Sequence, residues 1–468
     1  MGSGVEAQAM AAVPAKVGSS AHSLTTALAD ILARPVPSRL HGRAALHVLD
    51  WAGCAISGAA SDAGKAMSKF GARLAAGTST KAGACAIGVG RVGVLDAAFV
   101  NGSYGNALEM DDIHRTSILH PGPVVVPAAL AVAEREDASA AEFLNAVVRG
   151  YEAMIRVGRS VGPGHYRHWH NTSTCGPFGA AAAAGSLLRL GPAQMVDALG
   201  NAGTQSAGPW QCRLEGSMSK QLHSARAAHA GIVAADLAAL GFTGPAKILE
   251  GELGFYAAMC PDPDPDAVTG RDGPEWLIEE TSFKPWPACR HAHPTIDAAL
   301  ALCDRVDATA VESVVVRTYA DAVRYCDNQS PRTVLEAKFS LQHCAAVVLL
   351  DGEPPLEAFE APAFEREDVA ALRAKVRLET AEPFARSYPD HYGAGVTVIF
   401  EDGRQFSEER PDALGDPDNP IDTAAIEAKA RMLMTSGGMS AEQVDAIGEA
   451  VHSLPLGGTL RAFTDLLP

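Results

Sequence analysis

The sequence predicts a mainly α protein that carries an inserted α+β domain, and three observations lead there. Alanine, leucine and glycine at helical spacing dominate up to about residue 283, period-two apolar runs with turn signals appear between 284 and 407, and helical spacing returns from Thr423. The expected organisation is a helical domain over 23–283, an α+β domain over 284–407, and C-terminal helices over 408–468 that return to the first domain. At 468 residues and 47% hydrophobic, the chain can bury at least one large core.

Taken in order, residues 1–22 (MGSGVEAQAMAAVPAKVGSSAH) lack a basic start followed by an apolar run, which predicts a disordered leader rather than a signal peptide. Residues 23–60 read as two helices separated at Pro35 and Pro37. A short apolar run follows near Ala86–Val89, overlapping a glycine pattern, GVGRVG, that lacks the βαβ setting of a nicotinamide site. From Leu95 to Glu109 a buried helix is expected, with Glu109 and Asp112 on one face if it continues. Residues 127–161 supply two more helices. The insertion GPGHYRHWHNTSTCGPFG then places Tyr166, His168 and His170 ahead of Thr172, Ser173 and Thr174 at a helix start, where hydroxyls and free amides suit a carboxylate. Gly216–Gly241 reads as an amphipathic helix with Ser217 or Ser219 as N-cap and Gly241 as the stop. Lys220 lies in its first turn, His223 follows, and dipole and burial are both expected to lower the lysine's pKa. Val311–Tyr319 and Gly393–Phe400 read as strands, and Ala337–Leu350 as a helix between them.

Charge and cysteine usage bound the function. A formal net charge of −17 gives no basic footprint for nucleic acid or anionic membrane, and requires local cations in any pocket that binds an anion. No apolar run is long enough to suggest a membrane span. Nine cysteines without a CxxC pair fit a reduced, cytoplasmic setting. Residues 101–127, NGSYGNALEMDDIHRTSILHPGPVVVP, concentrate acids and histidines; Asp111, Asp112, His114 and His120 are metal ligands by type, but their spacing matches no recognised zinc or iron motif, so no metal is expected.

Five stretches stand in a fixed order: NG…ALEMDD…HPG…PAALA, GYE…HYRHWHNTSTCGPFGAAAAA, SKQLHSARAAHAG…LGFTGPAKILEG, KPWPACRHAHPTIDAAL and AKFSLQHCAAVVLLDG. Together they resemble the MmgE/PrpD family of 2-methylcitrate dehydratase, cis-aconitate decarboxylase and iminodisuccinate epimerase, from about residue 23 to the C-terminus. The resemblance implies a large helical domain built from both chain ends, an α/β lid, a homodimer, and a cofactor-free site that moves a proton beside a carboxylate of a small di- or tricarboxylate. It implies Lys220 and Tyr166 as an acid/base pair, with His120, His170 and His293 as further catalytic positions. Glu109, Thr172, Ser173, His223 and His291 are expected to bind substrate.

The departures favour some branches over others. In the dehydratase and decarboxylase branches, the positions of Glu109 and Ile113 carry an aspartate and a threonine, and the gap from Asp112 to His120 is one residue shorter. The expectation is therefore a dehydratase-type lyase. The alternatives are an epimerase using the same acid/base pair, a cis-aconitate-type decarboxylase, and a non-catalytic carboxylate-binding dimer.

Overall fold

The computed structural model describes residues 23–76, 83–270 and 275–468; the expected leader over 1–22 lies outside them. Leu24–Leu32 and Leu40–Ala60 form the first two helices, broken where Pro35 and Pro37 predict it. Antiparallel strands Ala84–Ala86 and Gly90–Val92 follow, so the GVGRVG glycines shape a hairpin, with Gly88 at φ +69° and Gly90 at φ +101°. Helices Val94–Gly105, Gly122–Arg135, Ala140–Ser160, Asn171–Leu187, Pro192–Gly203 and Ser219–Ala239 build the main bundle. Small residues let these helices approach closely: a Cβ on Gly231 would stand 2.3 Å from the Ala180 Cβ on the neighbouring helix.

One apolar core runs from Leu28 to Ile278 and also takes in Ala430 to Leu467. Residues from the two ends of the described chain therefore share a core. Thr423–Ser436 lies against Leu40–Ala60, and the junction is pinned by a buried ion pair, Lys429 Nζ to Asp50 Oδ1 at 2.5 Å.

A second core spans Trp286 to Phe400. Its four-stranded sheet has the order Val376–Thr380, Val311–Thr318, Ala394–Phe400, Gln405–Arg410, with the first pair parallel and the others antiparallel. Val314 is in register with Val376 on one side and Val398 on the other. Helices His293–Cys303 and Leu341–Asp351 cover the apolar face. The helix expected over Ala337–Leu350 is two, Val334–Lys338 and Leu341–Asp351, because Ser340 caps the second by accepting from the His343 amide. No described helix is long and apolar enough to cross a membrane.

Candidate active site

The cleft between the two cores is organised by the segment that follows Val94–Gly105. That helix stops short of Glu109, which adopts φ +60°, an uncommon conformation for a residue with a Cβ. Glu109 and Asp112 thus do not share a helix face. Long-range partners hold the turn instead. Lys220 Nζ pairs with Glu109 Oε1, Lys284 Nζ lies 3.9 Å from Oε2, and Lys338 Nζ donates to the Leu108 carbonyl at 2.8 Å. All four ionised side chains are buried, so their charges interact in a low dielectric.

This arrangement corrects the expected lowering of the Lys220 pKa. Burial does lower it, but the Glu109 and Asp111 carboxylates outweigh burial and hold it above the ordinary lysine value. Burial also opposes ionisation of Glu109, yet Lys220 and Lys284 bring its pKa below the usual value. For Lys284 burial wins, and its pKa is lowered; its amine is buried without a hydrogen-bond partner. Burial brings Lys338 down to about 8. The helix carrying Lys220 runs Ser219–Ala239 with Met218 at the N-cap and no side-chain cap, contrary to the expected serine, while Gly241 at φ +87° follows its end.

The aspartate pair divides its work. Asp112 accepts from Tyr151 Oη at 2.6 Å, His47 Nδ1 at 2.7 Å and the Gly122 amide at 2.8 Å, tying the loop to three helices. Asp111 accepts from Asn106 at 2.6 Å and faces His120 Nδ1 at 3.1 Å. His120 Nδ1 also lies 2.8 Å from the Asp112 carbonyl. Two oxygens at one ring nitrogen place the proton there and leave Nε2 as the lone-pair nitrogen. His114 turns to Ser117 and Glu280 instead, so Asp111, Asp112, His114 and His120 do not converge on one point.

Glu109, His120, Tyr166, His170, Lys220 and His291 line one cleft, which brings together six of the ten positions predicted from the sequence. The cleft is closed down: room for a water-sized sphere amounts to about 20 Å³, the space of a single water. Tyr166 packs edge-on against Trp210 and Tyr325, and burial pushes its pKa well up, so its hydroxyl stays protonated. His170 Nδ1 meets His223 Nδ1 at 3.1 Å, with burial lowering both rings, His223 to about 4. His291 Nδ1 pairs with Tyr319 Oη at 2.8 Å and is lowered to about 3 by burial.

The remaining four positions stand back from the cleft. His293 is fully buried; its Nε2 lies 3.1 Å from the Ala288 carbonyl and its Nδ1 3.2 Å from Arg290. Of the two histidines in the HAH run, it is His291 that reaches the cleft. Thr172 is fully buried and accepts the His120 amide at 3.1 Å, which positions the histidine. Ser173 and His223 support the wall behind His170. Sequence reading missed Lys284, Lys338, Cys289, Arg290, Trp210 and Tyr392. The first four lie inside the KPWPACRH and AKFS stretches, where a basic residue amid apolar neighbours is the available signal for Lys284, Arg290 and Lys338; Cys289 and the two aromatics carry none.

Buried cations therefore gather where an acidic protein needs them, beside a histidine backed by a carboxylate. The MmgE/PrpD N-terminal domain model matches residues 22–268 and the MmgE/PrpD C-terminal domain model residues 286–454. A cis-aconitate decarboxylase-like protein, oryM, of Aspergillus oryzae is 29% identical over 394 residues, covering 78% of this chain and 80% of that protein. Human cis-aconitate decarboxylase is 28% identical over 350 residues, covering 72% and 71% respectively. Cis-aconitate decarboxylase of Aspergillus terreus is 27% identical over 362 residues, covering 71% and 74%. With both halves matched in order along most of its length, this chain belongs to the MmgE/PrpD family.

Proposed function

We propose that the protein is a lyase that moves a proton at the carbon next to a carboxylate of a small di- or tricarboxylate, in a dehydratase-type reaction run by side chains alone. The observation that carries this reading is the buried cluster of Lys220, Lys284 and Lys338 around Glu109, whose Lys220 and Glu109 line the same cleft as His120. Removing an α-proton requires a base, and the enolate that forms requires fixed positive charge and hydrogen-bond donors. His120 Nε2 is the base in this scheme, because Asp111 behind Nδ1 stabilises the imidazolium as it forms. Lys220, held as an ammonium by Glu109, and the neutral Tyr166 hydroxyl supply donors to the developing oxyanion. Lys220 then returns a proton or assists the departing β-hydroxyl. The lysine and tyrosine thus act mainly on the acid side, and the histidine takes the base role.

Decarboxylation of cis-aconitate is the second reading, favoured by the names of the relatives. Ile113 weighs against it, since this cleft-lining residue offers no hydroxyl at a position where the decarboxylase branch carries threonine. Epimerisation shares the first proton abstraction and differs only in the absence of a leaving group. Proton exchange into a panel of citrate-like, aconitate-like and succinate-like acids in D₂O, with products followed by NMR, tests all three. Expected are α-deuterium incorporation and water elimination in the wild type, a loss of about 10²–10⁴-fold in His120→Ala and Lys220→Ala, and full activity after exhaustive EDTA treatment. Release of CO₂ as the main product would replace the dehydratase reading with the decarboxylase one. No exchange with any acid would leave a carboxylate-binding dimer; the homodimer is part of this proposal and is measured by light scattering on the same samples.

A further inference from the structure

His170 and His223 make a contact that the proton chemistry does not use. Their Nδ1 atoms lie 3.1 Å apart, with the ring planes at 46°. Two lone pairs or two N–H groups would repel each other there, so one Nδ1 carries a proton and the other accepts it. The backbone holds His170 at this point: it is the N-cap of Asn171–Leu187, its amide donates to the Gly208 carbonyl at 3.0 Å, and its carbonyl accepts from the Ser173 amide at 2.8 Å. Trp210 covers its ring, with centroids 4.3 Å apart. His170 lines the cleft and is 1% exposed, whereas His223, in the first turns of Ser219–Ala239, is 9% exposed, so the pair leads from the cleft outward. Neither Nε2 has a hydrogen-bond partner among the described residues, and neither is one of the sealed nitrogens left without a partner; water reaches both.

We propose that His170 and His223 form a proton relay that carries the substrate's α-proton from His120 to solvent, with His223 acting through His170 and not on the substrate. The relay rests on the lyase reading, in which His120 ends each turnover as an imidazolium and has to be reset. His120 and His170 stand edge to face with ring centroids 6.5 Å apart. The closed cleft has room for about one water, which spans such a gap with two hydrogen bonds.

The relay starts with protons on His170 Nδ1 and His223 Nε2. A proton arriving from His120 through the water bonds His170 Nε2 as the Nδ1–H bond breaks; the released proton bonds His223 Nδ1, and His223 Nε2 gives up its own to solvent. Both rings are neutral before and after, with their tautomers exchanged. A proton passing inward over the same atoms restores the first tautomers and replaces the one that Lys220 gives up. Burial suits the rings to this, lowering His223 to about 4 and His170 well below its ordinary value, and the Lys220 charge works in the same direction. Neutral rings that trade tautomers leave no unpaired charge in the wall.

Imidazole nitrogen spectra of the full-length, histidine-labelled enzyme test the pairing without substrate. One Nδ1–H and one Nε2–H tautomer, both neutral at neutral pH, are expected, assigned by the signals lost in His223→Asn; two Nε2–H tautomers, or a cationic ring, would overturn the relay. The asparagine amide stands where Nδ1 stood, so it keeps the hydrogen bond to His170 but has no second ring nitrogen to pass the proton on. With citrate, cis-aconitate and succinate as probes in D₂O, His223→Asn is expected to lower deuterium incorporation roughly tenfold, with KM and the urea midpoint held. In His223→Gly, added imidazole is expected to restore the exchange. Wild-type exchange in His223→Asn, or no recovery with imidazole in His223→Gly, assigns the pair to structure alone and overturns the relay. A wild type that exchanges none of the three acids sinks the lyase reading itself, an outcome distinct from an active wild type with an equally active His223→Asn, which sinks only the relay.

Discussion

At the scale of a residue, Lys338 is the buried amine expected to set the working range of the cleft. It sits one peptide from Glu109, hydrogen bonded to the Leu108 carbonyl at 2.8 Å, and burial brings its pKa down to about 8. Below that pH it adds a positive charge to those of its neighbours, and above it the charge is lost. On the proposed reading the substrate is an anion that gains from positive charge next to Glu109, so kcat/KM is expected to fall with a one-proton dependence as pH rises through about 8. Lys338→Met should remove this limb and lower kcat/KM at neutral pH by roughly tenfold, the worth of about 1.4 kcal/mol. Lys338→Arg keeps its charge throughout and should carry the high activity to more alkaline pH. A wild-type alkaline limb surviving in Lys338→Met would assign the titration elsewhere.

At the scale of elements, the helix pair Asn171–Leu187 and Ser219–Ala239 carries much of one cleft wall, with His170 at the start of one and Lys220 at the start of the other. Their separation is set by Gly231, where an added Cβ would meet the Ala180 Cβ at 2.3 Å and the Ala181 nitrogen at 2.6 Å. Gly231→Ala therefore gains some helix propensity but overpacks rigid backbone, and a net destabilisation of about 1–3 kcal/mol is expected in urea unfolding. Because the displacement is passed to His170 and Lys220, kcat should fall as well; an unchanged urea midpoint would show that the helices yield freely. Elements of this kind were legible in the sequence: Pro35 and Pro37 separate the first helices, and apolar alternation marks Val311–Thr318 and Ala394–Phe400. The edge strands Val376–Thr380 and Gln405–Arg410 were not, because each exposes half or more of its residues and carries little apolar signal. The end of Val94–Gly105 was misjudged for a different reason. Glu109 leaves helical geometry to meet Lys220 and Lys284, partners more than a hundred residues away that no local pattern encodes. The lysine at the Ser219–Ala239 start was found, but the sign of its pKa shift depended on that same distant carboxylate.

Across the whole molecule, neutral histidines are buried in both cores as well as in the cleft. Burial lowers His47, His114, His165, His223 and His343 to about 4 and His291 to about 3. An unfolded histidine titrates near 6.5, so between about pH 6.5 and 4 the unfolded chain binds more protons than the folded one. Stability is accordingly lost as pH falls through that window. Each such histidine withdraws up to about 3 kcal/mol by the bottom of it, at 1.36 kcal/mol per pKa unit. Asp50 acts in the opposite direction, since burial raises it to about 6 and the folded state binds its proton first. Burial also raises Asp297, and these two carboxyls set against six histidines cannot reverse the trend. Urea midpoints measured from pH 7 to pH 4.5 should therefore fall steadily, before the usual carboxylate range is reached, and His47→Gln should flatten the slope by removing one of the protons taken up. His47 lies 2.7 Å from Asp112 and stacks on Phe283 at 4.3 Å, so this variant also probes the anchor beneath the cleft loop. If the midpoint instead stays level down to pH 5, these rings are protonated in the folded state, and the neutral imidazoles assigned to the cleft wall, His170 and His291 among them, must be reassigned as cations.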